Sequence, residues 1–208
     1  VSYADGTEVT EVVQPDPRFG IQSPVQASRT VTTPAGLVST TLLTREVALS
    51  DPANPLSLDH LTDTITINGR TYLSTFDDAA LTFTTTSPEG RIRTAKQDRM
   101  GRIVQSRLAD LAPVAFTYDD AGRVVAMTRG TGDEARVFTY AYDNRGLVQT
   151  FTDSLGRQTA FSYDDATRLA AKTLADGRTI EFAHDAQGNL VSVTPPGRSA
   201  HRFTYTAL

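Results

Sequence analysis

The sequence predicts an all-β fold of stacked antiparallel hairpins with essentially no helix, and three observations support this prediction. The 208 residues include 31 threonines, seven tyrosines and nine phenylalanines, residue types that favour a pleated, half-buried surface. Turn signals that contain glycine recur every ten or eleven residues in the C-terminal part. The runs between these turns have strand length and favour β structure, and no segment shows a helical period with caps.

A repeat of about 21 residues organises residues 84–208. Its turn aspartates are separated by 21, 24, 21 and 21 residues, and they are Asp98, Asp119, Asp143, Asp164 and Asp185. The longer step coincides with three extra residues around Gly130-Thr131-Gly132. A second series of Gly-Arg turns lies about half a period away. A hairpin of this size cannot bury its own face, so we expect each unit to stack on its neighbours.

The turn sequence Asp-x-x-Gly predicts a type I turn followed by a glycine in the left-handed region. Aspartate at the first position can accept hydrogen bonds from backbone N–H groups two residues on, and glycine at the fourth adopts positive φ without strain. Asp119 then faces Arg123, and the same pairing is available at 98 and 102, 153 and 157, and 164 and 168. An exposed ion pair stabilises by only about 0.2–1 kcal/mol, so these pairs should set register more than stability.

The predicted structural repeat positions are the tyrosine, aspartate, glycine and arginine of these turns. They are Tyr118, Asp119, Gly122, Arg123, Tyr142, Asp143, Gly146, Asp153, Gly156, Arg157, Tyr163, Asp164, Arg168, Asp185 and Gly188. Some positions depart from the pattern. Thr167 occupies a glycine position, where a β-branched residue is strained at positive φ. His184 replaces the tyrosine, and Leu147 and Asn189 replace the arginine.

Residues 1–83 are predicted to be an irregular hairpin region of degenerate repeats, distinct from the regular array over 84–208. Tyr3-Ala-Asp-Gly6 and Ile67-Asn-Gly-Arg70 are signals for two-residue hairpins. Residues 31–36 resemble residues 83–90 and suggest two copies of one turn. Residues 14–24 and 50–61 contain prolines and are predicted to be loops.

Composition excludes several classes of protein. The net charge of −4 argues against a nucleic-acid binder, which normally carries a basic excess. Without cysteine, neither a disulfide nor a thiolate metal site can hold the fold. No apolar run approaches the roughly 18 residues of a membrane helix, so no membrane insertion is expected. The chain begins at Val1 without a signal sequence and reads as part of something longer.

Candidate chemistry is sparse in this sequence. The three histidines, His60, His184 and His201, lack partners at metal-binding spacing, so we expect no metal and no cofactor. Aspartate doublets at 77–78, 119–120 and 164–165 could suggest calcium or paired catalytic carboxylates, but the turn role already explains two of them. Because no nucleophile elbow or phosphate loop is present, we expect no catalytic residues.

The series Tyr-Asp-x-x-Gly-Arg, interleaved with Asp-x-x-Gly-Arg, resembles the YD repeats of Rhs proteins. This family includes bacterial polymorphic toxins, the cocoon-forming component of Tc toxins, and the teneurin shell. The resemblance implies a β-strand spiral around a hollow shell, which in the toxins encloses a C-terminal toxic domain. The family's self-cleaving aspartate motif has no match here, so no protease residues are implied.

Two functions follow from the resemblance and the repeats. The first is a non-catalytic structural segment of a YD-repeat shell, whose partners are the remaining shell and an enclosed C-terminal toxin or effector domain. The second is an extracellular binding module, in which ladders of tyrosine and arginine hold glycans or a partner protein. Both functions imply a secreted or cell-surface location. The sequence identifies neither the cargo nor the target cell.

Overall fold

The computed structural model describes residues 1–206, and the chain divides into two compact units, Val1–Val114 and Ala115–Leu208. The boundary falls in the strand Val114–Tyr118, within the region that the sequence predicts to be one regular array. The predicted division at residue 83 rests on regularity of the repeat and stays a prediction. Each unit is a series of antiparallel strands in which consecutive strands pair.

The first unit begins with five long strands and continues with three shorter ones. They are β1 (Glu8–Asp16), β2 (Gly20–Thr32), β3 (Val38–Leu49), β4 (Leu58–Ile67), β5 (Arg70–Asp77), β6 (Thr82–Thr86), β7 (Ile92–Gln97) and β8 (Ile103–Leu108). Each strand from β1 to β7 pairs antiparallel with the next.

The second unit consists of shorter and more uniform strands. They are β9 (Val114–Tyr118), β10 (Val124–Arg129), β11 (Arg136–Tyr142), β12 (Val148–Thr152), β13 (Gln158–Tyr163), β14 (Leu169–Thr173), β15 (Thr179–His184), β16 (Leu190–Thr194) and β17 (His201–Arg202). From β9 to β17, each strand pairs with the one after it.

The predicted fold class is confirmed. Residues 1–206 contain no α-helix, and their one helical element is a 3₁₀ turn at Gly132–Glu134. That turn occupies the three-residue insertion of the repeat. No helix in the described part of the chain is long and apolar enough to cross a membrane.

One predicted loop is largely strand, and the other is a loop that is shorter than predicted. Residues 14–24 belong mostly to β1 and β2, because the register of these strands shifts between Gln14 and Asp16 and so accommodates Pro15. In the second predicted loop, residues 50–57 do connect strands, but β4 already begins at Leu58. The proline signals therefore predict loops that are too long in both segments.

One predicted hairpin type is also wrong. The N–H of Gly6 donates to the carbonyl of Tyr3 (2.9 Å), and the N–H of Tyr3 donates to the carbonyl of Thr7 (2.8 Å), so the first hairpin has a three-residue loop instead of a two-residue one. The prediction at residues 67–70 is confirmed, because Ile67 pairs with Arg70 and both central residues, Asn68 and Gly69, have positive φ.

The packing is unusual because very few side chains are buried. Among residues 1–206, Val9 is the one buried apolar residue, at 7% exposure, and Asp16 is the one buried polar residue. The chain exposes 14170 Å², whereas a folded protein of 22.5 kDa ordinarily exposes about 9,500 Å². Its apolar side chains lie half-buried along the sheets, as at the ring contacts Phe138–Phe151 (6.2 Å) and Tyr140–Phe151 (5.3 Å). These sheets therefore lack the covering layer that an independent domain ordinarily has.

Candidate functional site: the aspartate turns

The repeated turn is the candidate functional site, and Asp119 shows its geometry. The N–H of Asp119 donates to the carbonyl of Arg123 (2.9 Å), and the N–H of Gly122 donates back to the carbonyl of Asp119 (2.9 Å). Gly122 has a φ of 80°. These bonds define a type I turn closed by a left-handed glycine. The predicted turn geometry is therefore confirmed here.

The Asp119 carboxylate makes two kinds of contact in this turn. One oxygen accepts the backbone N–H of Arg123 (2.8 Å), and the other accepts its Nε (2.8 Å) and lies 2.7 Å from Nη2. Hydrogen bonds from the Arg123 backbone and side chain hold the pKa of Asp119 below its usual value. One aspartate thus fixes the turn backbone and the strand that leaves it.

The same carboxylate geometry occurs at the other predicted pairs. Arginine Nε donates to the aspartate at 2.7 Å in Asp98–Arg102, 2.7 Å in Asp153–Arg157 and 2.8 Å in Asp164–Arg168. At Asp185, the amide of Asn189 takes the place of the guanidinium (2.9 Å). Gly146, Gly156 and Gly188 have φ values of 82°, 77° and 91°.

Arginine side chains connect one turn to the next within the second unit. Nη1 of Arg168 donates to the carbonyl of Asp185 (2.6 Å), and Nη1 of Arg145 donates to the carbonyl of Asp164 (2.9 Å). Arg123 lies over the ring of Tyr142 in the following repeat (4.5 Å). Successive turns are therefore joined into one ladder.

Tyrosine hydroxyls make a second set of links between repeats. Tyr142 donates to the carbonyl of Val124 (2.6 Å), and Tyr163 donates to the carbonyl of Val148 (2.9 Å). Tyr205 makes the corresponding bond to Leu190 (2.9 Å). His184 occupies the equivalent position in its own repeat and is half-buried. The hydroxyl of the motif tyrosine therefore donates a hydrogen bond to a backbone carbonyl of the preceding repeat unit.

Sequence reasoning missed that Arg145 makes the arginine contacts of the turn in which Leu147 replaces the usual arginine. Leu147 stands where the motif has arginine, but Arg145, two positions earlier, contacts Asp143 (3.2 Å) and the next turn. Arg168 makes the same two kinds of contact from the usual position. The signal was available as an extra arginine inside the turn whose usual arginine is missing.

Two other turns depart from the pattern in different ways. Thr167 has a φ of 63°, so the predicted positive φ at this glycine position is confirmed. At residues 174–178 the first turn residue is Leu174, and Asp176 lies inside the turn, where it pairs with Arg178 (2.7 Å). The aspartate contact is therefore made from two different turn positions.

In two turns of the first unit, hydroxyls replace the turn carboxylate. Ser87 Oγ accepts the N–H of Arg91 (3.2 Å), and Thr33 Oγ1 accepts the N–H of Leu37 (3.1 Å). Both turns also have the two backbone bonds seen at Asp119. The prediction that these segments are copies of one turn is confirmed.

A charged cluster in the first unit was not predicted. Asp16 has a side chain only 2% exposed and accepts hydrogen bonds from the backbone N–H of Arg18 (2.8 Å), that of Phe19 (3.2 Å) and Arg45 Nη1 (3.2 Å). Burial by itself would raise the pKa of Asp16, but these hydrogen bonds outweigh it and the pKa is lowered. Arg45 also binds both oxygens of Asp63 (2.7 and 2.8 Å). These residues lie far apart in the sequence, so spacing gave no signal.

His60 lies between two aspartates. His60 contacts Asp59 (3.1 Å) and Asp77 (3.5 Å) through its two ring nitrogens, and all three are about half exposed. Within residues 1–206, no three histidine, aspartate or glutamate side chains are grouped to hold a metal ion. Asp120 and Asp165, the second members of their doublets, lie in exposed turns. The contacts of the repeated turns connect neighbouring strands and turns to one another.

Comparison with known proteins gives a consistent result. The sequence model of the family described as "Teneurin YD-shell" matches residues 1–208. A search of curated proteins finds no match. The crystal structure of TcdB2-TccC3-TEV superposes with a TM-score of 0.64 at 13% identity, over 98% of this chain and 12% of that chain.

Two further solved structures are similar to this chain. The crystal structure of TcdB2-TccC3 gives a TM-score of 0.58 at 15% identity, over 92% of this chain and 11% of that one. A Tc holotoxin pore from Photorhabdus luminescens gives a TM-score of 0.51 at 14% identity, over 93% of this chain and 12% of that one. At such identities the likeness establishes the fold, and the chain matches only 11 to 12% of these relatives' length.

Proposed function

Because the chain belongs to the teneurin YD-shell family, we propose that it is a non-catalytic segment of wall in a YD-repeat shell. The shell would enclose or present a toxin or effector domain encoded elsewhere in the parent chain. The partners would be the rest of that shell and the enclosed domain, with no nucleic acid and no membrane insertion. The parent would be secreted or displayed at a cell surface.

The observation that carries this proposal is the exposed area. The surface of 14170 Å² exceeds the usual value for this mass by roughly half, and a single apolar residue is buried in the part of the chain that the structure describes. A domain that works alone ordinarily covers at least one face of its antiparallel sheet with a second layer. Sheets joined by regular turn ladders suit a wall that other parts of a larger protein cover.

Repetition also supports a structural role over a catalytic one. Catalysis needs unlike groups that converge on one place. Here the same aspartate, arginine and tyrosine contacts recur from Asp98 to Asp185 and each joins neighbouring strands or turns. Substitutions in the ladder should therefore act through folding and so through loss of cargo protection.

The binding-module alternative depends on tyrosines that are available to a ligand. The hydroxyls of Tyr142 and Tyr163 instead donate to backbone carbonyls of the preceding repeat unit, and both side chains are half-buried. The turn arginines are engaged by aspartates in the same way. This geometry favours the shell segment, and binding of glycans or a partner protein becomes the alternative outcome of the test.

The test compares the parent protein with and without this segment. If the segment is wall, its deletion should expose the C-terminal domain to protease, and the half-life of that domain should fall at least about tenfold. A matched control replaces Tyr140, a ring-packing tyrosine outside the set of hydroxyl links, with phenylalanine and should leave protection unchanged. Equal protection with and without the segment would refute the wall and favour the binding module.

A further inference from the structure

The hairpin formed by β1 and β2 leaves the sheet of the first unit partway along its length. β2 pairs with β3 only from Ser28 to Thr32, opposite Leu42 to Val38. β1 and β2 continue to pair with each other as far as Asp16 and Gly20. Their register shifts between Val12 and Val13, just where β2 and β3 part, and such a bulge bends a strand. Residues 13–27 therefore form a two-stranded ribbon that diverges from β3.

Among residues 1–206, this divergence leaves one edge of β3 without a neighbouring strand beyond Leu42. The N–H and C=O of Thr40 both bond to Asn68 on the β4 side. Alternate residues of a strand direct these groups to the same side. The register of β3 on β4 is unbroken from Thr41 to Ala48, so the backbone groups of Leu43, Arg45 and Val47 point toward the side that β2 has left. We call residues 43–47 the open edge.

The ribbon comes back over this edge through two side chains. Gln14 Nε2 donates to the carbonyl of Leu43 (3.4 Å), which occupies an acceptor of the open edge. Asp16 accepts from Arg45 (3.2 Å), and Arg45 in turn holds Asp63 of β4. Asp16 also accepts the N–H groups of Arg18 and Phe19 at the ribbon tip. A single carboxylate thus shapes the tip and fastens it to β3.

We propose that the ribbon is a guard, which prevents the open edge of β3 from pairing with the open edge of a second copy of this chain. Unpaired edges are templates for another strand, and natural proteins cover them. Two identical edges can pair antiparallel about Arg45. Leu43 then lies opposite Val47 of the partner subunit, and Thr44 lies opposite Glu46 of the partner subunit. Asp63 balances the charge of Arg45 within each copy. This inference does not depend on the shell function.

The test uses cysteine cross-linking, because the chain contains no cysteine. One batch of the protein carries Thr44→Cys and a second batch carries Glu46→Cys, and the two batches are mixed under mild oxidation. In the proposed pairing these two positions lie directly opposite each other on different copies and do not exchange backbone hydrogen bonds, so their side chains are close enough to form a disulfide. Adding Gln14→Ala and Asp16→Asn to both batches should raise the yield of cross-linked dimer about tenfold, a ratio that corresponds to about 1.4 kcal/mol. The Asp16→Asn side chain keeps an oxygen for the ribbon-tip N–H groups, and circular dichroism checks that the sheet persists.

Two controls make the result specific to the open edge. Glu11→Gln removes the exposed pair with Arg29 in the same hairpin (3.0 Å) and should not raise the yield. Val47→Pro removes an N–H that points to the open edge and should return the released chain to the low yield. If the double variant unfolds, Gln14→Ala alone should still give a smaller increase. Equal cross-linking with and without the ribbon contacts would overturn the proposal, and so would a folded, released chain that does not cross-link.

Discussion

The two units build similar antiparallel sheets from different chemistry. In the first unit, β1 to β5 have eight to thirteen residues, and its turns at Thr33 and Ser87 rely on hydroxyls. In the second unit, β10 to β16 have five to seven residues, and charged turns recur at nearly every strand end. Short strands supply fewer ladder bonds, so their register depends more on the turn.

The two units show that the same turn geometry can be built with different residues in its first position. The same two backbone bonds close the turns at Thr33, Ser87 and Asp119. The first residue of the turn needs an oxygen that accepts an N–H, and a carboxylate or a hydroxyl can supply it. What the hydroxyl turns lack is the second carboxylate oxygen, which holds an arginine in the turns of the aspartate form. The ladder of linked turns therefore belongs to the aspartate form.

Polar stabilisation is also distributed differently in the two units. The first unit has surface pairs such as Asp98–Arg102 and, in addition, joins Arg45 and Asp63 to the buried carboxylate of Asp16, whereas the pairs described in the second unit lie along its turns. A buried charge left without its partner is costly, whereas one exposed pair contributes little. Single substitutions should therefore have their largest effects in the first unit.

The largest expected effect is that of Arg45→Ala, which should lower the free energy of unfolding by about 3 kcal/mol. The reason is that Asp16 would remain buried without its hydrogen-bonded guanidinium, leaving only the more distant Arg18 at 3.9 Å. The measurement is urea denaturation. The matched control, Arg29→Ala, breaks an exposed pair with Glu11 and should cost at most about 1 kcal/mol. Equal losses for the two variants would show that the Arg45 cluster is not a special feature of the first unit.

Thr167→Gly should raise the free energy of unfolding by about 1 kcal/mol, because it relieves a β-branched residue at a φ of 63°. Greater flexibility of the unfolded chain offsets part of this gain. Ala166→Gly, one residue earlier in the same turn, should instead destabilise. Thermal melts of both variants test the expectation. A loss of stability with Thr167→Gly would mean that the Thr167 hydroxyl, which bonds the Ala166 carbonyl (2.7 Å), matters more than φ.

Arg145→Ala should lower the free energy of unfolding by about 0.5 kcal/mol, since it removes the link between the turns at 143 and 164. Adding Leu147→Arg should restore most of this loss, because it returns arginine to its usual position in the motif. Denaturation of the wild type, both single variants and the double variant gives the coupling energy. A coupling of zero would contradict the view that the two positions are interchangeable sources of the same contact.

The smallest effects should be those of pH, with opposite signs at His60 in the first unit and Asp164 in the second. Asp59 and Asp77 raise the pKa of His60, so its contribution is present below the unfolded value of about 6.5 and is lost as pH rises through the folded value. Hydrogen bonds from Arg168 lower the pKa of Asp164, so its contribution is present above about pH 3.9 and is lost as pH falls further.

Amide hydrogen exchange, corrected for intrinsic rates, can measure both pH effects locally. Protection near β4 and β5 should weaken as pH rises from about 6 to about 8, and His60→Asn should abolish that change. Protection of the turn at 164–168 should stay constant over this range and weaken only in acid, and Asp164→Asn should remove the acid response. A pH response near β4 and β5 that survives His60→Asn would exclude His60 as its source.

The sequence by itself determined the strand content, the hairpin order and the turn geometry of the second unit. Each of these is local, because an aspartate and a glycine three residues apart set a turn wherever they lie between strand-forming runs. Even the strain at Thr167 was predictable, since its position in the repeat fixes φ. The error at residues 14–24 was also local, since proline within a strand is tolerated where the register shifts, and the loop predicted at 50–61 was only too long, because β4 begins at Leu58.

Only the tertiary structure decided which distant residues meet. Asp16, Arg45 and Asp63 come together because the β1–β2 ribbon folds back over β3, and no spacing along the chain encodes that return. The contacts from Arg145 to Asp164 and from Tyr163 to Val148 likewise depend on adjacent hairpins being in register. Local sequence therefore sets each hairpin, and the stacking of hairpins decides which side chains link one to the next.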